Sequence, residues 1–292
     1  MAAISEKDLF ESVLHGFWAM SWVIAGALMV VGSPYGSQTS YRGKLAVNGQ
    51  LAWIAMELVS PAVLLYARYS HMAPVLCLLN IAPSIHNTES TAEELLSFKD
   101  TLVLLWLVHY AYRAILYPLR QPSRKPMHLG IMLSAVLFNS VNGYLNGRWL
   151  SLYAPLEYQQ NVGVYIAHNR WRCWTGLILF AGGFIGNIYH DNVLMRLRRT
   201  PQSVRKEQKS KSTRYSIPYG GLFGLVSCPH YLCELIEWTG FAMLSGSPAA
   251  WTFVINVACN LLPRAYHIHQ WYRATFPATY PTSRKAIIPY LL

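Results

Sequence analysis

The chain has 292 residues, 53% of them hydrophobic and 13% charged, with a formal net charge of +11. Long apolar runs separated by short polar connections exclude a soluble globular domain and define an all-α integral membrane protein, a single domain over residues 1–292. The positive balance does not signal nucleic acid, because Lys and Arg gather in loops at alternate ends of the apolar runs instead of along one exposed face.

A hydrocarbon core about 30 Å thick calls for windows of roughly 20 apolar residues, and the sequence predicts seven of them. The first, Leu14 to Val31, follows Glu6, Asp8 and Glu11, acids where a cleaved signal would need a basic segment. The second, Asn48 to Tyr69, carries Trp53 and Glu57 four residues apart on one face. Pro74 to Pro83 is apolar but too short to span and suits the membrane interface. Ser84 to Lys99 is polar, and its Thr-Glu-Ser-Thr-Ala-Glu-Glu run suits the cap of a short helix.

The third window, Thr101 to Leu119, has Asp100 at its entrance and His109, Tyr110 and Arg113 as a polar patch. The fourth runs from Met127 to Asn146. On the fifth, Trp171 to Leu194, Asn187 and Asp191 stand at i and i+4, and Arg198 extends their face seven residues further. Arg196 to Arg214 is a solvated basic loop, with two readings open: it fixes topology against anionic lipid, or it helps hold a polyanionic cofactor. The sixth window, Leu222 to Leu244, presents His230, Glu234 and Glu237 at i, i+4 and i+7; the seventh, Ala249 to Gln270, carries Arg264 and His267, with Tyr272 just beyond.

Sixteen Lys and Arg flank the side that holds the C-terminus and six the other, which predicts a cytoplasmic C-terminus and an N-terminus across the membrane. The five cysteines lie mostly inside the windows with no Cys/His ligand spacing, so neither a disulfide framework nor a metal site is expected.

Acids inside the windows carry the functional signal, since an ionisable side chain in a membrane costs at least a few kcal/mol. One such acid is explained by a buried ion pair joining two helices, Asp191 with a neighbouring Arg or Glu237 with Arg264. Polar stripes on five helices, most toward the cytoplasmic ends, instead predict a wet cavity open to the cytosol. Cations dominate its mouth, so the expected occupant bears phosphates.

Several runs carry a resemblance to a known family. They are Ile217-Pro218-Tyr219-Gly220-Gly221-Leu222-Phe223, Ser227-Cys228-Pro229-His230-Tyr231-Leu232-Cys233-Glu234-Leu235-Ile236-Glu237-Trp238, Pro263-Arg264-Ala265-Tyr266-His267 with Trp271-Tyr272, and Tyr280-Pro281-Thr282-Ser283-Arg284-Lys285-Ala286. Asn187 to Asp191 with Arg198, Asn142-Gly143-Tyr144, His109-Tyr110 with Arg113, and Trp53 with Glu57 continue it upstream. Together they resemble the steroid 5α-reductases over nearly the whole chain.

The resemblance implies a seven-helix NADPH-dependent reductase that saturates the Δ4 bond of a 3-oxo-steroid. It maps the two donors to the carbonyl oxygen onto Glu57 and Tyr110. Glu57 donates only while protonated, the form that an apolar span favours. By the same similarity the cofactor pocket takes Trp53, Arg124, Asn187, Asp191, Arg198, Tyr215, His230, Glu234, Arg264 and Tyr272. Arg124 and Arg198 suit phosphates, while Asn187, Asp191 and Glu234 suit ribose hydroxyls and the carboxamide. No Gly-rich strand-turn-helix fingerprint is present, so a Rossmann domain is not expected.

The chain departs from the family at Met56, where some members have Gln, at His230 for Asn, and at Ile268 for a His flanked here by His267 and His269. A steroid substrate, membrane lipid, a monomeric state and, in a eukaryotic cell, the endoplasmic reticulum complete the expectation. Three alternatives remain: a trans-2-enoyl-CoA or polyprenol reductase of the same architecture, a non-catalytic sterol-binding protein whose stripes are structural ion pairs, and, more distantly, a methyltransferase using the same mouth.

Overall fold

The computed structural model describes residues 4–31, 43–69, 81–82, 97–122, 124–159, 162–199 and 215–292. Most of the Pro74 to Pro83 stretch, the Thr-Glu-Ser-Thr-Ala-Glu-Glu run and most of the basic 196–214 loop lie outside them. The helices are α1 (Glu6–Val31), α2 (Gly49–Tyr69), α3 (Phe98–Arg120), α4 (Leu129–Arg148), the short α5 (Val162–His168), α6 (Arg170–Arg199), α7 (Pro229–Ser245) and α8 (Pro248–Thr275). Two-residue strands Ile4–Ser5 and Ile81–Ala82 pair in parallel, and Ala46–Val47 and Met127–His128 pair antiparallel.

The helix starts follow local chemistry. Asn48 Oδ1 accepts from the amides of Gln50 and Leu51 at 2.9 and 3.1 Å, and Ser97 Oγ accepts from Asp100 N at 3.2 Å, each satisfying a donor left open by the first turn. Ser247 does the same for Ala249 and Ala250, with Pro248 in the first turn of α8. The sixth apolar window is shorter as a helix than its hydropathy implies. Leu222 to Cys228 forms a 3-10 turn at Gly221–Gly224 and then an extended link, and the α-helix begins only at Pro229.

Backbone to backbone proximity sets the two tightest helix pairs. A Cβ added to Gly183 of α6 would lie 2.6 Å from Cys233 O on α7, and one added to Gly143 of α4 would lie 2.5 Å from Ser60 O on α2. Small residues of this kind let membrane helices gain van der Waals contact that lipid cannot supply. Between the pairs sits α3, whose Trp106 is fully buried among Trp238, Phe241 and Phe253, with ring centroids at 5.0, 5.2 and 5.9 Å. On α1, Phe17 O accepts from Asn256 Nδ2 of α8 at 3.1 Å, and Glu6 is buried against Arg148 of α4. The chain after α8 folds back, and Ser227 N and Cys228 N donate to Lys285 O and Ala286 O at 2.8 and 3.1 Å.

Outward faces are apolar, with Val30, Leu51, Leu137, Ile178 and Ile185 all mostly exposed. Among the described residues three helices are long and apolar enough to cross a membrane: Glu6–Val30, Gly49–Tyr69 and Phe98–Arg120.

Candidate active site

The second half of α3 departs from α-helical geometry. Ala111–Leu116 is π-helical, a local winding that is frequent at functional sites because it turns side chains away from their regular stripe. The residue it presents is Arg113. Its Nη1 lies 3.3 Å from Asp191 Oδ2 on α6, and its Nη2 lies 3.3 Å from Glu234 Oε2 on α7. Asp191 has a side-chain exposure of 1% and Glu234 of 14%, so the acid facing the open side is Glu234.

Around that hub the expected residues converge. Asn187 Nδ2 donates to His230 O at 3.2 Å and to Glu234 Oε2 at 3.4 Å. Trp53 Nε1 donates to Arg113 O at 3.0 Å, and two guanidinium groups lie near its ring, Arg124 at 3.7 Å and Arg113 at 5.1 Å from its centroid. Such stacking holds a cation on a flat apolar surface while leaving hydrogens at its edge. Arg124 Nε also donates to Gln121 Oε1 at 2.5 Å. His230 is within electrostatic reach of Arg113, Arg198 and Arg264, and its Nδ1 is a buried polar atom without a hydrogen-bond partner among the described residues.

Glu57 is half-buried on α2 and makes no hydrogen bond among the described residues, yet it feels the charges of Arg113, Glu234, His109 and Arg124. Tyr110, 3% exposed, sits beside Ser60 and Asn142 and within electrostatic reach of Glu57. The two residues stand on neighbouring helices, within electrostatic reach of one another and of Glu234.

Four expected residues lie around this hub without joining its ion pairs. Arg198 is exposed in the last turn of α6. Tyr215 packs edge-on to Trp271 at 5.2 Å, and Tyr272 stacks on Tyr280 at 5.4 Å with 7° between the planes. Arg264 lies over the Tyr231 ring at 5.4 Å. The ion pair imagined between Glu237 and Arg264 is not formed; Glu237 Oε1 is 2.6 Å from His109 Nδ1 instead, because Glu237 points from α7 toward α3. Asp191 does pair with an Arg, namely Arg113.

The departures also find places. Met56 is buried, and its carbonyl accepts from Asn139 Nδ2 at 2.8 Å. The neighbours of Ile268 have partners of their own: His267 Nε2 is 3.1 Å from Leu28 O on α1, and His269 Nδ1 is 2.7 Å from Ser227 Oγ. Sequence reasoning assigned no site role to Arg113 or to the His109 and Glu237 pair. The available signal was a cation three residues from Tyr110 inside an apolar helix, a position that demands partners.

The fold is helical, with apolar helices consistent with a membrane protein. The sequence model of the family described as 3-oxo-5-alpha-steroid 4-dehydrogenase matches residues 125–292, and the chain belongs to that family, oxidoreductases acting on CH–CH bonds in steroid metabolism. It is 33% identical over 291 residues to a steroid 5-alpha-reductase DET2 of Solanum lycopersicum, covering 98% of each chain. It is 34% identical over 294 residues to a 3-oxo-5-alpha-steroid 4-dehydrogenase 1 of Bos taurus, covering 99% of each. An uncharacterized protein of Schizosaccharomyces pombe is 38% identical over 277 residues, 90% of this chain and 93% of that one.

A nicotinamide dinucleotide suits the donor set. Guanidinium groups at Arg124, Arg198 and Arg264 carry the charge to complement phosphates, and the buried His230 Nδ1 has no partner among the described residues.

Proposed function

We propose that this protein is a single-domain, monomeric, seven-span membrane enzyme that reduces the Δ4 double bond of 3-oxo-Δ4-steroids with NADPH. The N-terminus lies on the lumenal side, the C-terminus and the cofactor cavity face the cytosol, and in a eukaryotic cell the membrane is the endoplasmic reticulum. The observation that supports the reading is that Glu57 and Tyr110, on neighbouring helices, lie within electrostatic reach of each other, with Arg113 in reach of Glu57.

Trp53, Arg124, Asn187, Asp191, Arg198, Tyr215, His230, Glu234, Arg264 and Tyr272 hold the dinucleotide. The bound cofactor supplies a hydride to the β-carbon of the enone. Arg113 fixes Asp191 and Glu234 so that their free oxygens and Asn187 address ribose hydroxyls and the carboxamide. Glu57, protonated, and Tyr110 each donate a hydrogen bond to the substrate's carbonyl oxygen, stabilising the negative charge that gathers there as the enolate develops. Both donors are set before the reaction, so little reorganisation accompanies that charge. Trp106, Trp238 and Phe253 exclude water behind Tyr110.

The direct test is product analysis of purified protein in lipid nanodiscs with NADPH and either progesterone, as a 3-oxo-Δ4-steroid, or a trans-2-enoyl-CoA. The expected product is the 5α-reduced 3-oxosteroid. Turnover of the thioester alone would refute the proposed substrate class.

A further inference from the structure

The pair formed by His109 and Glu237 has no task in the scheme above. It joins α3 to α7 through His109 Nδ1 and Glu237 Oε1 at 2.6 Å, with side-chain exposures of 5% and 0%. Glu237 Oε2 is sealed from solvent and has no hydrogen-bond partner among the described residues. His109 engages Glu237 through Nδ1 alone; its Nε2 has no partner among the described residues and is not among the sealed polar atoms. The imidazole adjoins Tyr110, with ring centroids 5.0 Å apart, and lies within electrostatic reach of Glu57 on α2. Glu234 of α7 and Arg113 of α3 are the other charged groups that face it, and Trp238 and Phe184 complete its walls at 4.4 and 6.4 Å.

As a mere clasp between helices this arrangement is poor. Removing an acid and an imidazole from water costs several kcal/mol, often no better than an apolar pair of the same volume, and the unpartnered Oε2 adds to the cost. A titratable pair with one open nitrogen, beside an acid that must be neutral at the start of every turnover, has the features of a proton store.

We propose that His109 and Glu237 form a proton relay that returns Glu57 to its neutral form. The inference rests on the reductase reading above. After hydride addition, the enolate oxygen takes the Glu57 proton; that O–H bond breaks, its electron pair stays on the carboxylate, and an enol forms. The His109 N–H bond then breaks and its proton restores Glu57, while water entering from the cavity reprotonates the pair. The enol becomes the ketone as its α-carbon gains a proton from water and its oxygen returns one. The sum is one hydride and one proton added to the double bond. His109 and Glu237 thus act through Glu57 and are positioning residues.

The experiment is a mutant cycle on the full chain in nanodiscs, with NADPH and progesterone, measured in H2O and D2O. His109→Gln and Glu237→Gln are each expected to lower kcat about tenfold to hundredfold, the scale of positioned acid and base groups. They should leave the KM for NADPH within about twofold and enlarge the solvent isotope effect. In the Glu57→Gln background neither should cause a further loss, because residues acting through one group are not additive. A clasp would cost the same in both backgrounds, and that result overturns the relay, as does an undiminished kcat in the single variants. If His109→Gln does not fold, Glu237→Gln, which keeps a bond to His109, carries the same comparison. Loss in Glu57→Gln with parent-like dyad variants removes the relay and leaves the reductase reading standing; a parent protein that does not oxidise NADPH with the steroid removes both.

Discussion

Replacing Arg113 by Leu tests the ion network that organises the site. The substitution leaves Asp191, 1% exposed, and Glu234, 14% exposed, without the cation that now lies 3.3 Å from each. Breaking a buried pair by removing one partner costs about 3–5 kcal/mol, since the remaining charge stays out of water. The stacking of Arg113 on Trp53 and Tyr117, at 5.1 and 4.9 Å, adds about 1 kcal/mol. For a chain of this size each kcal/mol is about 2–4 °C, so a loss of about 4–6 kcal/mol lowers the thermal midpoint by about 8–24 °C. Detergent-solubilised protein followed by intrinsic fluorescence is the assay. The triple variant Arg113→Leu, Asp191→Asn, Glu234→Gln carries no buried charge at these positions and should recover most of the loss while remaining inactive. An Arg113→Leu protein as stable as the parent, or a triple variant less stable than the single, would refute the reasoning.

Three further outcomes are expected. Tyr110→Phe and Glu57→Gln should each lower turnover about 10²- to 10³-fold, as for the loss of one oxyanion donor, with NADPH affinity by fluorescence titration almost unchanged. Arg198→Ala should raise the KM for NADPH about tenfold, the value of one charge-assisted hydrogen bond, and leave the maximal rate near that of the parent. Gly183→Val should sharply reduce the yield of folded protein in size-exclusion profiles, because the added Cβ would lie 2.6 Å from Cys233 O with no flexible neighbour to move aside.

Much of the site could be read without coordinates because it is written at helical spacing. Asn187 and Asp191 at i and i+4, and His230 and Glu234 at i and i+4, necessarily share faces, and the structure brings those faces together through the Asn187 hydrogen bonds. Partner choice was not legible. The sequence offered Arg264 as a partner for Glu237 and a neighbouring Arg for Asp191. The angle of α7 against α3 gives Glu234 to Arg113 and Glu237 to His109. The start of α7 was hidden for a different reason: hydropathy reports an apolar run from Leu222, but Pro229 lacks an amide hydrogen and the segment before it takes other geometry.

By itself the sequence determined that the chain is helical and membrane-embedded, because apolar runs of that length have one stable form where water is absent. It also singled out Glu57, Asp191, Glu234 and Glu237 as candidates, because acids in such runs are too costly to be incidental. Tertiary structure alone decided how those charges pair and which acid is left without a hydrogen bond. Pairing depends on distances of a few ångströms between helices far apart in the chain, set by the close approach at Gly143 and Gly183 and by the π-helical turn that aims Arg113.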